Sequence, residues 1–317
     1  MAVGVTLTFS DPDGYAAAFD DARVNLTITG AGDFTAQLTR LKLQHLEVYR
    51  CRESLPRIAY ISLPSEQFML SFPIGSASPI FFGGVALQSG DIVLHSPGER
   101  MHQRSNGRCQ WGLILISPEQ LASSGKALTG QSIAVPPVSR VHRPAPLEVM
   151  RFRLLFSHAC RLAETRKNLV EHPEVGRALE QEMLHAVVHC LTAADELDDI
   201  DKTRHHHADV MVRFEEALAK HIDQRLDMPA LCAEIGVAER TLRTCCAEFL
   251  GVSPTRYLLL QRLNRARAAL QRANPLTSSV GEVARNYQFL EFGRFAVTYR
   301  SIFGESPSTT LQRDPAD

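Results

Sequence analysis

The sequence lacks the marks of several functional classes. No apolar run approaches the ~20 residues that cross a bilayer as a helix, so a membrane-spanning protein is not expected. The first ten residues have no basic region and no long apolar stretch, and no secretory signal is expected. Cysteine occurs at 51, 109, 160, 190, 232, 245 and 246, but never as a C-x-x-C pair. That odd set argues against a disulfide framework and against zinc-ligand spacing, and predicts reduced, buried thiols in a cytoplasmic protein. A nucleophile elbow, a glycine-rich phosphate loop and a His-Glu-x-x-His helix are all missing, so neither an enzyme nor a cofactor is expected. The net charge is −1, which excludes a uniformly basic nucleic-acid coat. It leaves room for one basic domain beside an acidic one.

What is present is globular. Hydrophobic residues make up 44% of the chain and charged residues 22%, close to the average for folded domains. A length of 317 residues suggests two domains at about 150 residues each.

The pattern changes along the chain. Residues 38–46 alternate apolar and polar with period two, as in a half-buried strand. Residues 58–63, 68–72 and 112–116 are further short apolar runs. Turn signals lie between them, at 63–65, at Gly83 and Gly84, and at 89–91 and 96–98. Short strands with frequent turns predict a small barrel or jelly roll over about 1–140, with a short helix near 13–21. From about 144 to 193 the period is helical. Leu147, Met150, Leu154, Leu155, His158 and Leu162 share one face, and Val175, Leu179, Met183, Val187 and Leu191 form a second stripe. Each stripe is free to bury itself on the barrel, on the other helix or on a second copy of the chain. Residues 196–208 are polar and carry His205, His206 and His207. They read as a linker.

The last third contains a repeat. MPALCAEIGV at 228–237 is matched by VGEVARNYQF at 280–289, 52 residues on, and FLGVSP at 249–254 is matched by IFGESP at 302–307. Each copy predicts a short helix with a small residue (Cys232, Ala284), a tight turn at Gly236 or Gln288, and a second helix from Glu239 or Glu291. Gly251 and Gly304 stand where a C-cap glycine belongs, and Ser-Pro then opens the next helix. Helix, tight turn, helix is the helix-turn-helix pattern. Leu242, Cys246 and Phe249 would face inward in the first unit, and Phe295, Tyr299 and Phe303 in the second. Glu239, Arg240, Arg243 and Thr244 would then face outward on one helix, with Glu291, Gly293, Arg294, Val297 and Arg300 on the other. Residues 208–313 carry 14 basic side chains, 13 of them Arg, against 11 acidic. Arginine pairs well with guanine O6 and N7 in the major groove. A long helix at 254–272 would space the units by about 27 Å, near one duplex turn.

Residues 210–313 resemble the two-headed DNA-binding domain of the AraC/XylS family of regulators. The resemblance is carried by Val283, Ala284, Phe289, Phe295, Tyr299, Arg300, Phe303, Gly304, Ser306 and Pro307 in the second unit. In the first unit it is carried by Gly236, Val237, Arg240, Leu242, Gly251, Ser253 and Pro254. Four positions depart from it: Ala238 replaces a capping Ser, Cys246 a core Phe, Gln288 a turn Gly, and Gly293 the Ser that opens the last helix. The N-terminal half resembles more weakly, through residues 90–98, the cupin-like sensor that precedes this domain in many members.

The resemblance implies an α+β chain: a cupin-like sensing and dimerisation domain at 1–195, a linker at 196–208, and a double helix-turn-helix domain at 209–313. It also implies a sequence-specific transcription regulator in the cytoplasm, associated with the nucleoid. Such a protein is usually an activator that recruits RNA polymerase, here as a homodimer bound to double-stranded DNA. A small-molecule effector would sit in the barrel, with Tyr49, His95, His102 and Trp111 as candidate contacts. The alternative is an N-terminal half that only dimerises or binds a protein partner. A remote third is a metal enzyme fused to a DNA anchor. His95, Glu99 and His102 are its nearest approach to a ligand set, but the His-x-His of metal cupins is missing, so no metal is expected.

Overall fold

Two antiparallel sheets face each other across a shared core. A computed structural model describes residues 2–20, 22–75, 78–192, 194–196, 202–221 and 227–313. In chain order the first region holds β1 (Val3–Phe9), α1 (Pro12–Ala17), β2 (Arg23–Ile28), β3 (Ala36–Lys42), β4 (Leu46–Glu53), β5 (Arg57–Ser62) and β6 (Phe68–Pro73). It continues with β7 (Ile80–Phe82), β8 (Val85–Ala86), β9 (Ile92–His95), β10 (Arg100–Ser105), β11 (Cys109–Ile116), α2 (Pro118–Thr129) and β12 (Arg140–Pro144). One sheet runs β1-β3-β4-β11-β6-β9-β12, extended by β13 (Ala194–Glu196); the other runs β2-β5-β10-β7-β8.

Alternation within a strand sends successive side chains to opposite faces. On β4, Leu46 and Val48 join a core beneath the helices, while Tyr49 and Cys51 join the core between the sheets. Both faces of this strand are covered, which is why it reads as nearly continuous burial and not as simple alternation. The expected single strand at 38–46 is two strands. It stops at Lys42, and Leu43 N–H bonds to Leu46 C=O to turn the chain into β4.

The helical layer is α3 (Pro146–Thr165), α4 (Lys167–Val170) and α5 (Pro173–Thr192). The α5 stripe is buried at Leu179, Met183 and Val187, as its spacing implies. In α3 the covered face is a different one, formed by Val149, Phe152, Phe156, Ala159, Cys160 and Ala163. Leu147, Met150 and Leu154 are 50, 62 and 59% exposed. Phe152 and Phe156 pack edge-on against Phe72, 4.8 and 4.9 Å between ring centres, and set which face turns inward.

The second region is helical: α6 (Lys202–Lys220), α7 (Met228–Ile235), α8 (Glu239–Leu250), α9 (Pro254–Arg272), α10 (Val280–Asn286), α11 (Phe292–Phe303) and α12 (Pro307–Gln312). The described part of the expected linker therefore includes helix. His205, His206 and His207 lie on α6, where His207 Nδ1 and Glu248 Oε2 are 2.7 Å apart. Residues 197–201 of that linker lie outside the described residues. Among the described residues all seven cysteines are buried and free. Burial pushes the Cys109, Cys160 and Cys190 thiols up to about 12, which makes them poor nucleophiles.

Candidate nucleic-acid interface

Each helix-turn-helix unit closes on one carbonyl. In the first, Gly236 and Val237 N–H both donate to Cys232 C=O, at 3.0 and 3.1 Å, and Gly236 adopts φ +76°. In the second, Phe289 N–H donates to Ala284 C=O at 2.8 Å, and Gln288 takes φ +64°. Gln288 thus adopts the left-handed backbone that glycine favours. Among the described residues it is the only non-glycine residue with positive φ.

The small residues allow the helices to cross closely, and the inner faces fill. Leu242, Cys245, Cys246, Phe249 and Leu250 of α8 pack with Val210, Met211 and Phe214 of α6. In the second unit Phe289, Phe295, Tyr299 and Phe303 form a ladder of rings at 4.7, 5.5 and 4.7 Å. Tyr299 hydroxyl meets Thr310 Oγ1 at 2.8 Å and ties α12 to the ladder. All three predicted inward residues of each unit are buried.

The opposite faces are open. Arg240, Arg243 and Thr244 are exposed on α8, with Glu239 half-buried at its start; Glu291, Gly293, Arg294, Val297 and Arg300 are exposed along α11. Each helix carries a glutamate paired to an arginine one turn on: Glu239 with Arg243, and Glu291 with Arg294 at 3.7 Å. At such exposure these pairs are worth little and leave the guanidinium groups available. Thr244 hydroxyl donates back to Arg240 C=O at 3.1 Å. Ala238 caps α8 without a side-chain bond, whereas Ser253, Ser279 and Ser306 each accept an N–H at the start of their helices.

The four effector candidates do not meet at one site. Tyr49 lies between the sheets and donates to Glu47 Oε2 at 2.8 Å. Trp111 stacks on Phe19 at 5.9 Å and donates from Nε1 to Glu53 Oε1 at 2.8 Å. His95 Nε2 lies 2.7 Å from Ser71 Oγ. His102 faces the helical region and meets Glu215 Oε1 at 2.8 Å. The space between the sheets is filled by Tyr15, Phe19, Tyr49 and Trp111 around a buried pair, Glu53 and Arg57, at 2.8 Å. Burial pushes the Glu53 carboxyl up, but Arg57, Trp111 and Tyr15 outweigh it and hold the group below its usual range. A groove of about 1290 Å³ opens between α1, β2 and α9; none of the four candidates lines it. Among the described residues, no group of three His, Cys, Asp or Glu is placed to hold a metal ion. No described helix is long and apolar enough to cross a membrane.

Sequence reasoning missed the start of α6, β1, α2 and Asn264. The first sits partly in a stretch without clear periodicity, and the last is a lone polar residue on a helix face.

Comparison with known proteins places the helical region. Residues 231–313 match a family described as a helix-turn-helix domain. The probable thc operon regulatory protein of Rhodococcus erythropolis is 38% identical over 98 residues, which is 31% of this chain and 30% of that protein. XylDLEGF operon transcriptional activator 3 of Pseudomonas putida is 35% identical over 101 residues, 32% of this chain and 30% of that protein. The match thus spans about a third of the length of these curated relatives. The crystal structure of the AraC-like transcriptional activator CuxR is similar at a TM-score of 0.41, with 16% identity over 84% of this chain and 96% of that one. The C-terminal third of the chain thus contains a helix-turn-helix domain similar to those of these operon regulators.

Proposed function

We propose that this protein is a sequence-specific DNA-binding transcription regulator that inserts α8 and α11 into successive major grooves on one side of a duplex. One observation carries the reading. Both units divide in the same way, with an apolar or aromatic face buried and an arginine-bearing face open to solvent. A helix fits the major groove, and an outward Arg can pair there with guanine. The spacer α9 has 19 residues, or about 28 Å, near the ~34 Å turn of B-DNA. Gly293 and Val297 offer the second unit no side-chain donors, so Arg294 and Arg300 carry its polar contacts.

The relatives' names speak of operon regulation and transcriptional activation. For this chain the corresponding reading is an activator of a metabolic operon that engages RNA polymerase in the cytoplasm, as a homodimer paired through the open face of α3. Domain limits of 1–195 and 209–313 go with it. The filled space between the sheets favours a second reading of the N-terminal half, in which it packs and pairs without enclosing a small effector.

The test starts from a duplex selected out of a random-sequence library by the full chain. Arg243→Ala and Arg294→Ala should each weaken binding to that duplex at least tenfold and change binding to unselected DNA much less. Equal losses on both would leave these arginines as backbone contacts and sink the base-reading assignment. For the N-terminal half, a thermal-shift screen with metabolites separates the readings, since a ligand at 100 times its Kd adds about 2.7 kcal/mol.

A further inference from the structure

Strand β2 is an edge of its sheet, and the outward backbone groups of Ile28 are not left to water. Ile28 N–H donates to Asn264 Oδ1 at 2.9 Å, and Asn264 Nδ2 donates to Ile28 C=O at 3.0 Å and to Leu260 C=O at 2.8 Å. A side-chain amide from the middle of α9 thus does for Ile28 what a neighbouring strand would do. Only a head that both accepts and donates can make this pair of bonds. Asparagine has it; aspartate does not.

Two more contacts lie on either side of this clasp. In the first unit, the Arg104 guanidinium from β10 lies 3.1–3.3 Å from where a Cβ on Gly251 would stand. In the second, Ala31 and Gly32 lie 3.4 and 3.7 Å from the corresponding point on Gly304, and Gly32 N–H reaches Phe303 C=O at 3.5 Å. Gly251 and Gly304 are equivalent positions of the repeat. The β-sheet region therefore touches both units at the same structural point, and bonds the spacer between them through Asn264. A helix alone fixes how far apart two units stand. It does not by itself stop a unit from rolling about its joint with the spacer, which is the turn 251–253 for the first unit and the segment 273–279 for the second.

We propose that Asn264 is a positioning residue for DNA recognition. It seats the spacer helix on the β2 edge and, with the contacts at Gly251 and Gly304, fixes the mutual angle of α8 and α11. It thereby sets the half-site spacing that the protein accepts. This rests on the reading of α8 and α11 as groove-entering helices. One base pair inserted between half-sites moves the second by ~3.4 Å and turns it by about 36°, since a turn holds 10–10.5 base pairs. A pair of helices held at one angle rejects that change, and a loosened pair tolerates it.

The experiment uses the full chain and the duplex selected from the random library, with variants carrying one base pair added or removed between its halves. Binding is read by fluorescence anisotropy for the wild type, Asn264→Ala, Asn264→Asp and Arg243→Ala. The wild type should lose at least tenfold on the shifted duplexes. Asn264→Ala should bind the selected duplex several-fold more weakly, yet lose less than threefold on the shifted ones. Asn264→Asp keeps the bond from Ile28 N–H and should fall between; it serves as well if the alanine variant folds poorly. A merely destabilised protein would weaken on every duplex alike and keep its tenfold discrimination, which would overturn the proposal. If Arg243→Ala binds the selected duplex as tightly as the wild type does, the groove-reading premise fails. If Arg243→Ala weakens binding while both Asn264 variants discriminate like the wild type, only the role of Asn264 fails.

Discussion

His102 on β10 and Glu215 on α6 meet across the boundary between the sheets and the helices, Nε2 to Oε1, at 2.8 Å, with 2 and 7% of their side chains exposed. Tyr257 hydroxyl from α9 donates to the same oxygen at 2.7 Å. The Tyr60 ring lies 4.9 Å from the His102 ring and covers it. One carboxylate therefore satisfies donors from two other elements at a buried seam. Glu215→Ala leaves both donors without an acceptor away from water, and should cost roughly 3 kcal/mol of stability. Glu215→Gln, which keeps an acceptor oxygen, should cost less than half of that. Urea unfolding of the full chain checks both, and a loss under 0.5 kcal/mol for the alanine variant would contradict the seam's importance.

His95 should make the fold acid-sensitive. Burial pulls its pKa down from 6.5 to about 3. The folded state thus keeps a neutral ring while the unfolded chain takes up a proton below pH 6.5. Stability is full above pH 6.5 and falls toward pH 3, by at most about 1.4 kcal/mol per pH unit. His95→Gln should flatten that part of the stability-against-pH curve, as followed by thermal melts from pH 7 to 4.

Glu99 has the opposite sign. Burial raises its carboxyl from 4.5 to about 7, against a hydrogen bond with the Ser96 backbone that lowers it, and Oε2 has no partner among the described residues. The unfolded chain releases this proton first as pH rises. The protonated group adds stability below pH 4.5, and that contribution is lost between pH 4.5 and 7. Glu99 is partly exposed, so the effect is discounted. Glu99→Gln should add about 1 kcal/mol at pH 8 and almost nothing at pH 4. Equal effects at both values would rule out the ionisation as the cause.

Gln288 holds a backbone angle that suits glycine. Gln288→Gly should raise stability by about 0.5–1 kcal/mol by relieving the left-handed strain. Gln288→Val, with a branched Cβ, should lower it by more than that. Differential scanning calorimetry distinguishes the two directions.

The open face of α3 predicts an oligomer. Leu147, Met150 and Leu154, spaced three and four apart, leave an apolar stripe exposed on a helix whose other face is covered. Met150→Asp and Leu154→Asp should convert a dimer to a monomer in sedimentation experiments at micromolar concentration. Because neither side chain supports the monomer core, each should change its unfolding free energy by less than about 0.5 kcal/mol.

The C-terminal half was legible because its signals are local. The limits of α8 and α9 lie where the sequence expects them, at Glu239, Leu250, Pro254 and Arg272; Gly251 ends α8 and Ser253 with Pro254 opens α9, signals that act within one turn. The inner faces were legible because a 3.6-residue period assigns them once the helix is known. The open arginine faces of α8 and α11 followed as the complement. The inward face of α3 was not legible. Its residues are apolar on two sides, and only the position of Phe72 on β6 decides which side is covered. The four effector candidates are residue types that touch ligands, and the same chemistry also serves a packed interior, where Glu47, Glu53, Ser71 and Glu215 partner them.

The sequence by itself determined a β-rich half, a helical half, a doubled helix-turn-helix unit and the arginines on its outer faces, because propensity, capping and periodicity act over a few residues. Tertiary structure alone decided that His102 meets Glu215 at a seam, that aromatic rings pack between the sheets, and that Asn264 grips the edge of β2. Those outcomes join residues 113 and 236 positions apart, and at such separations nothing in a local pattern records which polar group will meet which.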